Sequence, residues 1–320
     1  MTALFAKRLL PGQKVFKTGF VFSLLIVSAL LMSLVRPDSA LAGDRLKVFV
    51  SITPQKYFVE RIAGDLAQVE VMVPKAASPA TYEPKPAQMA ALQKARAYFA
   101  IGVPFEKTWL PRITAANPGM RIVFTQAKVP RVDVTTRKPV KGHESGPDSA
   151  HGGHKHTAGA DPHIWLSPPL VAIQAQAILR ELKYLDPANK GVYESNYQAF
   201  KKQIASLDEE LRQAFSRVSG KNRLMVFHPA WGYFADAYGL KQIPVEKEGK
   251  EPTPRGLMAL IKQARELEVK VIFVQPQFST KAASSVAQAI GGKVLKIDPL
   301  ALDWAANLKK AALEMKKALR

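Results

Sequence analysis

Residues 193–218 read YESNYQAFKKQIASLDEELRQAFSRV. Apolar side chains recur there at steps of three and four residues, from Tyr193 to Val218, which is the spacing of one face of a single long α-helix. Gly220 follows as a stop signal. The sequence contains one such stretch, so a rigid helix packed along the body of the protein is favoured over a coiled coil.

Strand and helix patterns alternate on both sides of this helix. Before it, the sequence predicts strands at residues 47–52, 68–73, 97–101 and 121–124, and helices at 54–63, 86–95 and from Pro168 to about 183. After it, the sequence predicts strands at 224–227, 242–245, 269–274 and 293–297, and helices near 231–238, 254–267, 280–290 and 303–319. Strand–helix–strand order indicates mostly parallel sheets that are covered on both faces.

The expected fold is therefore α/β, with two Rossmann-like lobes joined by one long helix. We assign residues 43–186 to the N-terminal lobe, 187–219 to the linking helix and 220–320 to the C-terminal lobe. Ligands of open α/β sheets bind outside the carboxyl ends of the strands. His228 and Asp298 each follow a predicted strand of the second lobe, so we expect both to line a cleft between the lobes.

The N-terminus has the pattern of an export signal. Basic residues are followed by an apolar run at 20–35 and by Ala40-Leu41-Ala42, which predicts a signal peptide over residues 1–42, cleavage before Gly43 and a periplasmic protein. The alternative is a retained membrane anchor. The chain has no cysteine, which excludes lipid attachment at cysteine, disulfides and thiolate metal sites.

The chain is strongly basic, with a formal net charge of +20. Its basic residues are dispersed and form no run interleaved with aromatic side chains, so the charge does not indicate nucleic-acid binding. Attraction to anionic envelope surfaces is a more modest interpretation.

Five of the six histidines fall between residues 143 and 163. Residues 129–160 show no periodicity, and a loop of this length is typically functional or disordered. Neutral imidazole is the commonest metal ligand among side chains. The sequence thus predicts an auxiliary metal-binding loop, and the alternative is a solvated spacer. We refer to four of these residues as the loop histidines: His143, His151, His154 and His156.

Seven ordered motifs resemble a known family. Residues 161–168, DPHIWLSP, resemble the DPHxWxxP signature of the metal-binding solute receptors of bacterial ABC importers, especially their zinc-specific branch. The other similar segments, from about residue 47 to the C-terminus, are PATYEP at 79–84, GVPFEKTW at 102–109, FHPAW at 227–231, EPTP at 251–254, FVQPQF at 273–278 and IDPL at 297–300.

The resemblance implies that a metal ion is held between the lobes by His163, His228 and Asp298. Histidine at position 228, where manganese-binding members tend to carry glutamate, favours Zn²⁺ over Mn²⁺ or Fe²⁺ as the bound ion. The implied partner is an ABC permease in the inner membrane, and the receptor is expected to be a monomer that binds no nucleic acid. His228 could instead be structural, and Asp298 could be a turn residue before Pro299.

The chain departs from the family pattern at two positions. Ala80 stands where the family presents a histidine ligand, and an alanine methyl group cannot coordinate a metal. Water could fill the fourth position, a loop histidine could replace the missing ligand, or the site could have drifted to another metal or to none. Gln275 stands where many members carry glutamate.

Three function classes are compatible with these motifs. The favoured one is an extracytoplasmic receptor that captures zinc and delivers it to the permease. The second is an adhesin or structural protein on the same fold. The third is a metalloenzyme with an open His-His-Asp site, against which stands the lack of an HExxH, GxSxG or phosphate-binding glycine motif. We therefore expect no enzymatic activity.

Overall fold

The computed structural model describes residues 45–140, 159–218, 220, 222–246 and 250–319. Residues 1–42, with the predicted cleavage point before Gly43, lie outside this part of the chain, as do the loop histidines. Arg45–Arg320 form one compact unit built around two four-stranded sheets. Among the described residues, none of the helices is long and apolar enough to cross a bilayer.

The first sheet has the order β2-β1-β3-β4, and all of its neighbouring strands are parallel. Residues 48–52 of β1 are buried and mostly apolar, as expected for a central strand covered by helices on both faces. The strands are β1 (Leu46–Ile52), β2 (Ala67–Val73), β3 (Ala97–Ala100) and β4 (Arg121–Phe124), and the helices of this lobe are α1 (Thr53–Ala63), α2 (Pro86–Leu92) and α3 (Pro104–Ala116).

The second sheet repeats this arrangement, with the order β6-β5-β7-β8 and parallel pairing throughout. The repeat places the carboxyl ends of its strands at one edge, where ligands of open α/β sheets bind. The strands are β5 (Arg223–Val226), β6 (Lys241–Pro244), β7 (Val271–Val274) and β8 (Lys293–Lys296), and the helices are α6 (Gly232–Ala237), α7 (Pro254–Glu266), α8 (Lys281–Ala289) and α9 (Trp304–Ala318).

Helix α4 (Pro168–Leu185) follows the first sheet, and the longer helix α5 (Lys190–Phe215) leads from it to the second sheet. Helix α5 is 26 residues long and packs against α1, α4 and α9. Its buried side chains are those of the predicted stripe: Tyr193, Phe200, Ile204, Leu207, Leu211 and Phe215. The predicted two-lobed α/β fold with one long connecting helix is confirmed.

Helix α3 was not predicted from the sequence. Pro104 occupies its first turn, but Pro111 lies inside it, and an interior proline removes a hydrogen bond and argues against a helix. Only Phe105, Glu106 and Ile113 of α3 are buried, so its apolar periodicity is weak. Tertiary packing on the first lobe overrides the local signal.

Candidate metal site

A cleft of about 990 Å³ lies between the two lobes. One wall comes from the first lobe and contains Ala80 and Val103, and the other comes from the carboxyl end of the second sheet. His163 and His228 both line it. The cleft therefore forms where the strand order of the two sheets predicts a ligand site.

The two predicted imidazole ligands meet inside this cleft. Nε2 of His163 lies 3.2 Å from Nε2 of His228, although the residues are 65 positions apart in sequence. The ring centroids are 5.1 Å apart and the rings are steeply inclined, at 73°. Both rings thus direct the same nitrogen toward one point between the lobes.

His163 is oriented by the carboxylate two residues before it. Oδ1 of Asp161 accepts hydrogen bonds from the His163 backbone N–H, at 2.9 Å, and bonds the ring Nδ1, at 2.8 Å. Burial raises the pKa of Asp161, but the hydrogen bonds from His163 and the charge of Arg137 outweigh it and hold this pKa below its usual range. Burial lowers the pKa of His163, against the opposing effect of Asp161. The His163 ring is therefore neutral near pH 7 and free to coordinate.

His228 is oriented by Glu246, whose side chain is almost fully buried. Oε1 of Glu246 bonds Nδ1 of His228. The ring also stacks on Phe278, with centroids 4.8 Å apart and an angle of 20° between the planes. Gln275 holds the His228 backbone, accepting from its N–H at 3.2 Å and donating to its carbonyl at 2.8 Å. The amide serves both bonds, whereas an ionised glutamate at position 275 could not donate.

This arrangement decides which nitrogen is available for a metal. A carboxylate at Nδ1 favours the tautomer with hydrogen at Nδ1, so the Nε2 lone pair of each ring is left facing the other. Two facing lone pairs at 3.2 Å repel each other, and a cation bound between them would turn that repulsion into attraction. Two nitrogens bound at about 2.0–2.1 Å to a tetrahedral zinc ion lie about 3.3 Å apart.

Asp298 follows β8 at the same end of the second sheet, as expected. Its Oδ1 accepts hydrogen bonds from the Leu300 backbone N–H, at 2.9 Å, and from Nε2 of Gln277, at 3.0 Å. However, the described part of the chain contains no group of three His, Asp or Glu residues close enough to hold a metal ion. The structure therefore brings His163 and His228 together and does not bring Asp298 into their group.

Ala80 lies at the wall of the cleft, as its place in the motif predicts. Its backbone N–H donates to the Ser78 hydroxyl at 3.3 Å, and its methyl side chain contributes no donor atom. A histidine at position 80 would thus direct its ring toward the cleft.

Two residues of the site were not identified from the sequence. Glu246 lies two residues after the end of β6, just as His228 lies two residues after β5. The rule that selected His228 and Asp298 could therefore have selected Glu246. Arg137, which contacts Asp161, lies in an aperiodic stretch and carries no comparable signal.

The fold and the site together define a solute-binding protein of the metal-receptor class. The fold has two parallel α/β lobes and one long connecting helix, and the site has two imidazoles in the cleft that carboxylates orient. Residues 48–318 match the family model described as ZnuA, zinc-uptake complex component A, periplasmic. The chain belongs to this family, so the resemblance drawn from its seven motifs is confirmed.

Relatives in sequence and structure agree with this assignment. The chain is 30% identical over 279 residues to the high-affinity zinc uptake system protein ZnuA of Bacillus subtilis (strain 168), covering 86% of this chain and 85% of the relative. It is 30% identical over 290 residues to the iron-binding protein YfeA of Yersinia pestis, covering 88% and 86%. A crystal structure of ZnuA superposes with a TM-score of 0.77 at 42% identity, covering 87% of this chain and all of the solved one.

Proposed function

We propose that this protein captures Zn²⁺ outside the cytoplasm and delivers it to an ABC permease in the inner membrane. The observation that carries the proposal is the pair of Nε2 atoms, 3.2 Å apart, on two rings whose Nδ1 atoms are bound by carboxylates. A carboxylate behind a histidine fixes its tautomer and raises its basicity toward a metal. The cleft is therefore prepared for a cation that prefers imidazole.

Zinc is the ion that this donor set favours. Imidazole nitrogen suits zinc, copper, iron and nickel, whereas manganese sites use mainly oxygen donors. Relatives of similar identity are named for zinc and for iron, so the competing ion to test first is Fe²⁺. Histidine at position 228 is the residue on which the choice against Mn²⁺ depends.

Asp298 is the third protein ligand in this proposal. Both hydrogen bonds to its side chain fall on Oδ1, so Oδ2 is the oxygen left to face a cation. Because Asp298 lies outside the imidazole group, metal binding must draw the β8 end of the second lobe toward His163 and His228. That movement is the change a permease would recognise.

The fourth position is the open chemical question, because Ala80 supplies no donor atom. A closed zinc site has four ligands, and here the fourth is a water molecule or a loop histidine. The loop histidines bind zinc weakly in this proposal and raise its concentration beside the cleft. Their contribution can be separated from that of the cleft by substitution.

Receptor function is preferred over the two alternatives. The matching family model describes a zinc-uptake component, and an ion that is transported must be released, whereas an enzyme keeps its metal through turnover. An adhesin on the same fold would need no orientation of the two imidazoles by buried carboxylates. The export signal predicted at residues 1–42 fits a periplasmic receptor, and we propose that this receptor acts as a monomer.

The test is a metal titration of the chain from residue 43 onward, with Zn²⁺, Mn²⁺ and Fe²⁺ in turn. We expect zinc to bind most tightly and His163→Ala or His228→Ala to weaken the tight site at least a hundredfold. Arg121→Gln, which breaks an ion pair with Glu181 away from the cleft, is the control and leaves the tight site unchanged. Equal zinc affinity in all four proteins would contradict the proposal.

Transport is tested in cells that lack their own zinc receptor but keep the permease. We expect the wild-type chain to restore zinc accumulation and His228→Ala to fail at limiting zinc. Restoration by both proteins would show that the cleft is not the site of capture.

A further inference from the structure

Arg137 lies at the end of a tight turn beside the cleft. Oδ1 of Asp133 accepts hydrogen bonds from the backbone N–H groups of Thr135, at 3.0 Å, and Thr136, at 2.7 Å. The N–H of Arg137 then donates to the Asp133 carbonyl at 3.0 Å, and its φ of 56° lies in the left-handed region. Non-glycine residues uncommonly adopt this conformation, and those that do cluster at functional sites.

The Arg137 guanidinium joins the two lobes. It pairs with the fully buried carboxylate of Asp161 in the first lobe and with Asp236 on α6 of the second lobe. Nε of Arg137 donates to Oδ2 of Asp236 at 3.0 Å. The guanidinium also stacks over the ring of Tyr233, 4.8 Å from its centroid. Planar guanidinium suits such a combined contact, which an ammonium group cannot reproduce.

Asp161 divides its two oxygens between Arg137 and the metal site. Oδ1 bonds the backbone and the ring of His163, and Oδ2 accepts from Nη1 of Arg137. The position of the Asp161 carboxylate therefore depends on Arg137. The direction in which His163 presents Nε2 depends in turn on Asp161.

Gly232 makes room for this contact. A Cβ atom at position 232 would lie 2.5 Å from Nη1 of Arg137 and 3.0 Å from Oδ2 of Asp161. Its φ is not positive, so the backbone does not require glycine there. The residue beside it, Tyr233, accepts a hydrogen bond from the Val132 N–H at 3.1 Å. The start of α6 is thus shaped to receive the arginine and the segment that carries it.

We propose that Arg137 is a positioning residue for metal binding, which holds the Asp161 carboxylate behind His163 and ties it to Asp236 of the other lobe. This inference rests on the proposed function of the cleft. It assigns part of the metal affinity to an ion-pair bridge that touches neither the metal nor an imidazole.

A merely structural ion pair is the competing interpretation, and the chain offers a matched control for it. Arg121 pairs with Glu181, whose side chain is 8% exposed, and lies 4.2 Å over the ring of Tyr184. This cluster joins β4 to α4 and does not line the cleft. Arg121→Gln therefore removes an ion pair to a buried carboxylate and a ring contact without touching the metal site.

The experiment measures zinc affinity by competition with a chelator, and thermal unfolding, for the wild type and four variants. We expect Arg137→Gln to weaken zinc binding about tenfold, the low end for outer partners of a metal site. Arg137→Lys keeps the charge and loses the forked geometry. Its zinc affinity should therefore lie between that of the wild type and that of Arg137→Gln. Arg121→Gln should lower the unfolding temperature and leave the zinc affinity within about twofold of wild type.

Gly232→Ala is the variant that keeps Arg137 in the chain. Alanine is a better helix former than glycine, so this variant should fold. Its methyl group displaces the arginine side chain, and we expect a loss of zinc affinity similar to that of Arg137→Gln. In Co²⁺-loaded protein, both variants should alter the visible absorption band, because the imidazole geometry changes.

The outcomes separate this inference from the proposed function. A wild-type chain that binds no zinc would overturn both. A wild-type chain that binds zinc tightly, with Arg137→Gln and Gly232→Ala at equal affinity, overturns the positioning role alone. Equal losses in Arg137→Gln and Arg121→Gln would also overturn it, since general stability would then explain both.

Discussion

Glu246→Gln tests whether the buried carboxylates prepare the cleft for a metal. The glutamine oxygen can still accept from Nδ1–H of His228, so the ring keeps its direction. The change removes the negative charge that makes Nε2 a stronger donor. Loss of such a partner costs about 10-fold to 100-fold in metal affinity. We expect about tenfold for glutamine, which corresponds to about 1.4 kcal/mol.

Glu246→Ala should cost more, about a hundredfold or 2.7 kcal/mol. The Glu246 side chain is 3% exposed, so its removal leaves the Nδ1–H group of the partly buried His228 ring without a hydrogen-bond acceptor. The His228 ring is then also free to rotate. The two variants thus separate the charge of the carboxylate from its role in orientation. Zinc affinity is measured by chelator competition at pH 7.5 on proteins whose loop histidines are replaced by alanine.

The matched control is Glu106→Gln. Glu106 is a second buried glutamate, which accepts hydrogen bonds from the backbone N–H groups of Ile101 and Gly102 at 2.8 Å each. Its burial raises its pKa, and it contacts neither imidazole. We expect lower stability and unchanged zinc affinity. Glu246→Gln with wild-type affinity, or Glu106→Gln with the same loss, would refute the reasoning.

Three further predictions concern the fourth ligand, the loop and pH. Ala80→His should tighten zinc binding at least tenfold, about 1.4 kcal/mol; an unchanged affinity that falls sharply when the loop histidines are replaced would show that the loop already completes the cleft. Calorimetry should resolve two classes of zinc site, and replacing the four loop histidines by alanine should remove only the weaker class. If the tight class also disappears, the two sites are not separate. Because burial lowers the pKa of His163, the unfolded ring takes up a proton near pH 6.5 before the folded ring does. The free energy of unfolding of the metal-free protein should therefore fall as the pH drops below about 6.5. In urea titrations, the difference in this free energy between wild type and His163→Gln should shrink at low pH. A difference that does not change with pH would contradict the prediction.

Much of the fold could be predicted because its signals are periodic and local. The stripe on α5 repeats over seven turns, and the inner β-strands are short, largely apolar runs between helices. The helix at Pro104–Ala116 escaped because a proline inside it and three buried residues leave little periodicity. Local propensity gives way there to packing on the first lobe.

The site was only partly predictable from the sequence. His163 and His228 could be predicted because His163 lies in the signature motif at 161–168 and His228 follows β5, an inner strand of the second sheet. Arg137, Asp161 and Asp236 form their bridge through space, across two lobes, and no spacing in the sequence encodes it. Asp298 lies outside the imidazole group although it belongs to the same lobe as His228, because the distance between two loops of one sheet depends on side-chain packing that strand and helix patterns do not determine.

The central claim is that one zinc ion is bound by the imidazoles of His163 and His228 together. X-ray absorption at the zinc edge counts imidazole ligands directly, in protein with the loop histidines replaced by alanine and one equivalent of zinc added. We predict two imidazoles with oxygen ligands in the remaining positions, and a single imidazole in His163→Ala and in His228→Ala. An imidazole count that neither substitution changes would contradict the account.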